Sequence, residues 1–153
     1  GRLNDECGRT RLFEDDSEVI SGLWMGSPPR SWERAWEKFD VIVSLISMGP
    51  TGHCPNGKIW IVHPLEDSEM PADDESLFLL ADLVTDLINE GKTVLVHCGA
   101  GLNRSGLICA LVVRELRCCR GTEAIDIVRA ARGPIALSNP YFTRFLNTLQ
   151  APP

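Results

Sequence analysis

The sequence has no apolar run of the roughly 18–20 residues that a membrane-spanning helix requires. Its first residues, GRLNDECGRT, also lack the apolar core of a secretory signal, so a cytoplasmic location is expected. Basic residues are fewer than acidic ones: 15 Lys and Arg stand against 21 Asp and Glu, a formal net charge of -6. This deficit of positive charge disfavours non-specific binding to nucleic acid or to a membrane surface, but it is compatible with a small basic pocket.

Cysteine patterns typical of metal sites are absent as well. No CxxC pair occurs, and no group of His and Cys has the spacing of a zinc site, so we expect neither a structural metal nor a cofactor. Cysteine itself is present six times, as Cys7, Cys54, Cys98, Cys109, Cys118 and Cys119. In a cytosolic chain of 153 residues, we expect these side chains to be reduced rather than joined in a disulfide framework.

Internal repeats, low-complexity segments and long linkers are also missing, and the length predicts one domain over residues 1–153. The polar residues 1–15 are expected to be loosely held. Downstream, short apolar runs predict strands, and amphipathic segments predict helices between them. The strand segments are VISGLWMGSP, DVIVSLI, KIWIVHP and KTVLVH, and the helices lie in RSWERAWEKF, DDESLFLLADLVTDLINEG, Ser105–Cys119, TEAIDIVRAARG and a last segment that starts at Asn139.

Capping residues mark the ends of these helices. Ser31, Thr122 and Asn139 are predicted N-caps, and Gly91 and Gly121 are predicted helix ends. Strands that alternate with helices indicate an α/β fold with three layers. We therefore predict a sandwich in which a central, mostly parallel sheet of four or five strands is flanked by helices.

One loop concentrates residues that can do chemistry. The segment HCGAGLNRSG, residues 97–106, follows the strand Thr93–Val96 and enters a helix. Ligands bind beyond the carboxyl ends of parallel strands, and a helix N-terminus offers free N–H groups and positive potential to an anion. The planar guanidinium of Arg104 can bind two oxygens of a phosphate at once. The predicted phosphate-binding residues are Gly99, Ala100, Gly101, Leu102, Asn103 and Arg104.

Cys98 lies among these donors, at the start of the loop. N–H groups at a helix N-terminus stabilise a thiolate, so we expect Cys98 to be a nucleophile that attacks phosphorus. Arg104 would bind the equatorial oxygens of the phosphoryl group. The hydroxyl of Ser105 would donate a hydrogen bond to the sulfur when it departs in a second step.

This loop matches the pattern H-C-x-x-G-x-x-R-S/T-G, and the chain resembles the cysteine-based protein tyrosine phosphatases that carry it. Two further segments, GLWMGSPP (22–29) and SNPYFTRFL (138–146), are similar to the dual-specificity branch. The resemblance covers most of the chain from about Val19 onward. It implies hydrolysis of phosphotyrosine through a cysteinyl-phosphate intermediate, with phosphoserine and phosphothreonine left open. Phosphorylated proteins are the implied substrates, and phosphate, sulfate or vanadate are the implied ligands of the loop.

The reaction also needs a proton donor for the leaving oxygen and a base for water, and one carboxylate can serve both steps. Members of the family place an aspartate upstream in the pattern D-x-x-x-P, which Asp67 and Pro71 match directly after the strand Lys58–Val62. Asp73 and Asp74 are alternatives, although they lie where the next helix needs an N-cap. A reaction without any acid is a third option.

Two further residues have competing explanations. The resemblance implies that His97 tunes Cys98 through hydrogen bonds to the loop backbone, while packing at a strand end explains this histidine equally well. Asn139 is similar to an asparagine that the family places near its active site, yet its capping role alone would account for it.

The residues of the loop also bear on the substrate. Ala100, Leu102 and Asn103 are neutral where phosphoinositide phosphatases of the superfamily tend to carry lysines, so a lipid substrate is disfavoured. The letters LNRSG resemble the LNRTG of RNA 5′-triphosphatases, which work without the acid; Asp67 and the negative net charge argue against this alternative. A phosphopeptide-binding module is the non-enzymatic alternative, but such modules usually lose the cysteine or the arginine.

Overall fold

The computed structural model describes residues 16–48 and 52–153, so the predicted loose segment 1–15 lies outside the described residues. The described strands are β1 Asp16–Ile20, β2 Leu23–Gly26, β3 Val41–Ser44, β4 Ile59–Val62 and β5 Val94–His97. The described helices are α1 Trp32–Lys38, α2 Glu75–Asn89, α3 Arg104–Arg117, α4 Gly121–Arg132 and α5 Pro140–Asn147. None of the helices in these ranges is long and apolar enough to cross a membrane.

The strands form one sheet in the order β1-β2-β5-β3-β4. β2, β5, β3 and β4 run parallel, and β1 pairs antiparallel with β2. The register aligns the carboxyl ends of the parallel strands, because His97 pairs with both Gly26 and Ser44, and Ser44 pairs with Val62. The loops that follow β4 and β5 therefore both leave from the carboxyl ends of the parallel strands, although β3 lies between β4 and β5.

The pattern of burial explains the layers. In β3, Val41 and Val43 join the larger core while Ile42 faces the other way, because successive side chains of a strand point to opposite faces. Ile42 packs with Trp36 and Phe39 in the smaller core under α1. Core residues of α2, α3, α4 and α5 pack on the opposite face. The predicted α/β sandwich of three layers is confirmed, with a sheet of five strands.

Two predicted helix boundaries are wrong, because both predictions place Gly121 between the two helices and the structure places it in α4. It does not end α3, which stops at Arg117 with Cys118 in the left-handed conformation (φ 49°). Gly121 is instead the first residue of α4, where a Cβ atom would lie 1.9 Å from the carbonyl oxygen of Leu146. The N-cap is accordingly Arg120, whose N–H donates to the Glu123 side chain, and the predicted cap Thr122 lies inside the helix.

Candidate active site

The segment from Cys98 to Arg104, here called the phosphate loop, joins β5 to α3. Its backbone is held from outside: Arg132 Nε donates to the Gly101 carbonyl (2.9 Å) and the Leu137 N–H donates to the Leu102 carbonyl (3.1 Å). Among the described residues, the N–H groups of residues 99–103 donate no hydrogen bond. A run of free N–H groups at a helix N-terminus forms a binding site for an anion.

Gly101 is required for the curvature of this loop. Its φ of +72° lies in the left-handed region, and a Cβ atom there would stand 2.4 Å from the carbonyl carbon of Gly26. Both the backbone conformation and the close approach of β2 therefore exclude a side chain. Phosphate binding by Gly101 stays a prediction, and the structure shows that this residue shapes the loop.

The guanidinium of Arg104 lies over the loop. Its Nη1 donates to the Leu65 carbonyl (3.2 Å), and a Cβ atom on Gly99 would lie 3.1 Å from Nη2. Its Nε is buried and has no hydrogen-bond partner among the described residues. A buried cationic donor without a partner is costly unless an anion binds to it. Nε is therefore available to an anion, and the contact between Arg104 and phosphate oxygens stays a prediction.

Cys98, at the start of the loop, lies beside Ser105, which directly follows the loop. The thiol of Cys98 is 2% exposed and lies 3.4 Å from the buried Ser105 hydroxyl, which belongs to the first turn of α3. The Cys98 N–H donates to the Gly26 carbonyl of β2 (3.3 Å), which anchors the residue to the sheet. The structure therefore brings the thiol and the Ser105 hydroxyl together, and donation from Ser105 to a departing thiolate stays a prediction.

His97 is buried at the end of β5. Burial lowers its pKa from 6.5 to about 4, and an interaction with the Cys98 backbone opposes this shift, so the ring is neutral at pH 7. Its Nε2 lies 2.6 Å from Ser44 Oγ, and Trp60 Nε1 donates to the same oxygen (2.9 Å). Its Nδ1 has no partner of good hydrogen-bond geometry in the described ranges. These contacts tie the ends of β3, β4 and β5 together; tuning of Cys98 by His97 stays a prediction.

The segment 63–74 follows β4 and is here called the acid loop. Asp67 lies at its centre, and each of its carboxylate oxygens accepts one amide: Asn139 Nδ2 at 2.7 Å and Asn103 Nδ2 at 3.1 Å. The structure therefore brings Asp67 to the phosphate loop. Asp73 and Asp74 make no hydrogen bond to that loop among the described residues, and Asp74, at the N-cap of α2, makes no side-chain cap bond.

Asn139 caps α5 and also contacts the acid loop, while its role in the reaction stays a prediction. Its Oδ1 accepts the N–H groups of Tyr141 (2.8 Å) and Phe142 (3.3 Å) and thereby caps α5. Its Nδ2 donates to Asp67 and to the Ser68 carbonyl (3.0 Å). One side chain thus fixes a helix start and the acid loop at once.

A shallow cleft of about 270 Å³ lies beside these residues, lined by Asp67, Ser68, Asn103, Ser138, Asn139, Pro140 and Tyr141. A larger groove of about 630 Å³ runs along α1 and contains none of the predicted site residues, so size alone does not mark the site. Sequence reasoning missed Arg132 of α4, which holds the phosphate loop, and Ser44 of β3, which contacts His97. No local signal identifies them, because their partners lie 31 and 53 residues away.

Comparisons with known proteins identify the family of the chain. A family model described as "Dual specificity phosphatase, catalytic domain" matches residues 30–151. The chain belongs to this family. Relatives in the dual specificity phosphatase family include mouse dual specificity protein phosphatase 2, 28% identical over 78% of the chain, and Xenopus laevis dual specificity protein phosphatase 1-A, 31% identical over 85%. The matches cover 38% and 36% of those two proteins, so the chain spans less than half of their length.

Solved structures support the same fold. The crystal structure of Tk-PTP in the active form has a TM-score of 0.75 at 24% identity and covers 88% of this chain and 95% of that one. Human DUSP28 has a TM-score of 0.72 at 22% identity and covers 88% and 91%. At these identities the likeness establishes the dual specificity phosphatase fold and nothing finer.

Proposed function

We propose that the chain is a protein phosphatase that hydrolyses phosphotyrosine, and phosphoserine or phosphothreonine where the cleft admits them, through a cysteinyl-phosphate intermediate. The observation that carries this proposal is the buried, unpartnered Nε of Arg104 beside a loop of free N–H groups. Together they provide donors for a tetrahedral dianion in the loop that begins at Cys98. Family membership supports the same chemistry.

In the first step, the Cys98 thiolate attacks phosphorus, and an S–P bond forms while the ester P–O bond breaks. The phosphoryl oxygens are held by the N–H groups of residues 99–103 and by the Nε and Nη2 of Arg104. Asp67 gives its proton to the leaving oxygen, so the substrate departs as an alcohol or phenol. Preorganised donors of this kind stabilise the charge that develops in the transition state.

In the second step, Asp67 is ionised and takes a proton from a water molecule that attacks phosphorus. The S–P bond breaks, inorganic phosphate is released and Cys98 returns to the thiolate. Ser105, whose Oγ lies 3.4 Å from the sulfur, would donate a hydrogen bond to the departing thiolate and keep its proton. The two carboxylate roles alternate, so a single Asp67 serves the whole cycle.

Phosphorylated proteins are the proposed partners, and phosphate, sulfate or vanadate are the proposed small ligands. A mouse putative dual specificity phosphatase of the same fold was crystallised with zinc tungstate, which supports oxyanion binding. The five described cysteines, Cys54, Cys98, Cys109, Cys118 and Cys119, are free thiols. Because a thiolate nucleophile must stay reduced, we propose a reducing, cytoplasmic setting.

The two alternatives are less well supported by the geometry. An RNA 5′-triphosphatase would not need the acid, whereas here two amides hold Asp67 at the phosphate loop. A phosphopeptide-binding module is the other alternative, and the chain has the fold of human tyrosine phosphatase-like serine/threonine/tyrosine-interacting protein (TM-score 0.70 at 18% identity). The presence of both Cys98 and Arg104 favours the enzyme.

The leaving-group dependence of Asp67→Asn tests the proposal. A phosphotyrosine peptide, whose phenol has a pKa of about 10, needs the proton more than an activated aryl phosphate does. We expect the peptide rate to fall about 10²- to 10⁴-fold and the activated substrate to be affected much less. Equal, small effects on both substrates, with γ-phosphate release from triphosphorylated RNA the fastest reaction, would refute it.

A further inference from the structure

Asn103 occupies the N-cap position of α3, yet its side chain does not cap the helix. No hydrogen bond joins it to a backbone N–H of the first turn, and its backbone is in the αR region. An asparagine at this position normally accepts such a bond, as Asn139 does for α5. The amide of Asn103 is therefore available for contacts outside its own helix.

Those contacts bridge three segments of the chain. The Nδ2 of Asn103 donates to Asp67 Oδ2 (3.1 Å) in the acid loop. Its Oδ1 accepts the Asn139 N–H (3.0 Å) and the Ser138 hydroxyl (3.4 Å) at the start of α5. Because the donor and the acceptor belong to one planar group, these partners also determine the orientation of the amide.

The carboxylate of Asp67 depends on this bridge. Asp67 is exposed and lies in the acid loop, which contains no helix or strand. In the described ranges, its side chain accepts hydrogen bonds from Asn103 and Asn139. An exposed side chain that is free to change rotamer is a poor proton donor, because proton transfer requires the carboxyl group close to the leaving oxygen.

We propose that Asn103 is a positioning residue for the reaction: its side-chain amide holds the Asp67 carboxyl group over the phosphate loop, so that proton transfer to the leaving group depends on it. This inference rests on the proposed function, in which Asp67 is the acid. The side chain of Asn103 acts through Asp67 and not on the phosphate, which is bound by the backbone of the same residue.

The test uses two variants of the whole chain. Asn103→Ala removes both contacts, and Asn103→Asp keeps the size of the side chain but replaces the donor to Asp67 by a second carboxylate. With a phosphotyrosine peptide, we expect kcat/KM to fall roughly 5- to 50-fold in Asn103→Ala and at least as far in Asn103→Asp. With an activated aryl phosphate, Asn103→Ala should lose much less, because this leaving group needs little help from a proton.

A double-mutant cycle locates the effect. In the Asp67→Asn background, Asn103→Ala should cost less than about twofold with either substrate, because the group that it positions can no longer give a proton. The inhibition constant of inorganic phosphate should be unchanged in Asn103→Ala, which also shows that the loop is folded. The matched control is Asn147→Ala, which removes the asparagine amide at an exposed position of α5.

The possible outcomes distinguish a failure of the role proposed for Asn103 from a failure of the role proposed for Asp67. Equal losses on both substrates that persist in the Asp67→Asn background would overturn the proposal, since Asn103 would then act on the phosphate loop itself. Full activity of both Asn103 variants with the peptide would overturn it as well. Full activity of Asp67→Asn alone would instead refute the proposed acid, and so the proposed function.

Discussion

Replacing Arg104 by Lys tests the proposal that this residue binds the phosphate. The substitution keeps the positive charge and nearly the length of the side chain, but the ammonium group has no planar fork of donors. In the structure, Nη1 is already bonded to the Leu65 carbonyl, so the anion is left with Nε and Nη2. Lysine can place one donor where arginine places two, and it loses the contact to the acid loop.

The magnitude follows from these contacts. Loss of one charge-assisted hydrogen bond costs about 1.5–3 kcal/mol, and loss of a preorganised donor to a developing oxyanion costs about 2.7–4 kcal/mol. We therefore expect Arg104→Lys to lose about 2–4 kcal/mol of transition-state stabilisation, roughly 30- to 1,000-fold in kcat/KM. Because the donors bind the transition state more strongly than the substrate, most of the loss should appear in kcat.

The assay is steady-state hydrolysis of an aryl phosphate and of a phosphotyrosine peptide. Arg117→Lys is the matched control, because Arg117 is exposed on the same helix and belongs to none of the contacts of the site. Unlike a loss of the acid, the loss of the fork should affect both substrates alike. If kcat/KM of Arg104→Lys stays within about threefold of the unchanged chain, Arg104 is not the phosphate-binding arginine.

Three other predictions concern the nucleophile, the loop and the buried histidine. Cys98→Ser should lose more than about nine-tenths of its turnover and still bind inorganic phosphate, measured calorimetrically; substantial hydrolysis would exclude covalent catalysis. Gly101→Ala should cost more than about 2 kcal/mol of unfolding free energy, because its Cβ would meet the Gly26 carbonyl, whereas Gly57→Ala, with φ +85° and open space around it, should cost only the smaller backbone penalty. His97 has a pKa of 6.5 in the unfolded chain and of about 4 in the folded chain. The stability that the neutral ring contributes is therefore complete above pH 6.5 and is lost as the pH falls towards 4. Denaturant titrations should show a fall of up to about 3 kcal/mol from this group, and a His97→Asn variant whose stability falls equally steeply would contradict the assignment.

The alternation of strands and helices was enough to predict the three layers, but not the place of each strand. KIWIVHP reads as a strand like the others, yet β4 lies at the edge of the sheet, where Ile59 and Val62 are 38% and 45% exposed. Edge position depends on which strands pair, and pairing is decided by contacts between residues far apart in the chain. The misplaced start of α4 has a similar cause: a glycine that looks like a helix end is required by the approach of Leu146.

By itself, the sequence was enough to predict which residues lie together at the phosphate loop. Cys98, Arg104 and Ser105 are close in the chain, because one glycine-containing loop joins the end of a strand to the start of a helix. This connection brings the three residues together. Only the tertiary structure could decide which carboxylate joins them. Asp67 reaches the phosphate loop because the carboxyl ends of β4 and β5 lie on the same side of the sheet. In addition, side-chain amides 36 and 72 residues away bind its two carboxylate oxygens. Such contacts depend on the packing of whole elements and leave no local pattern.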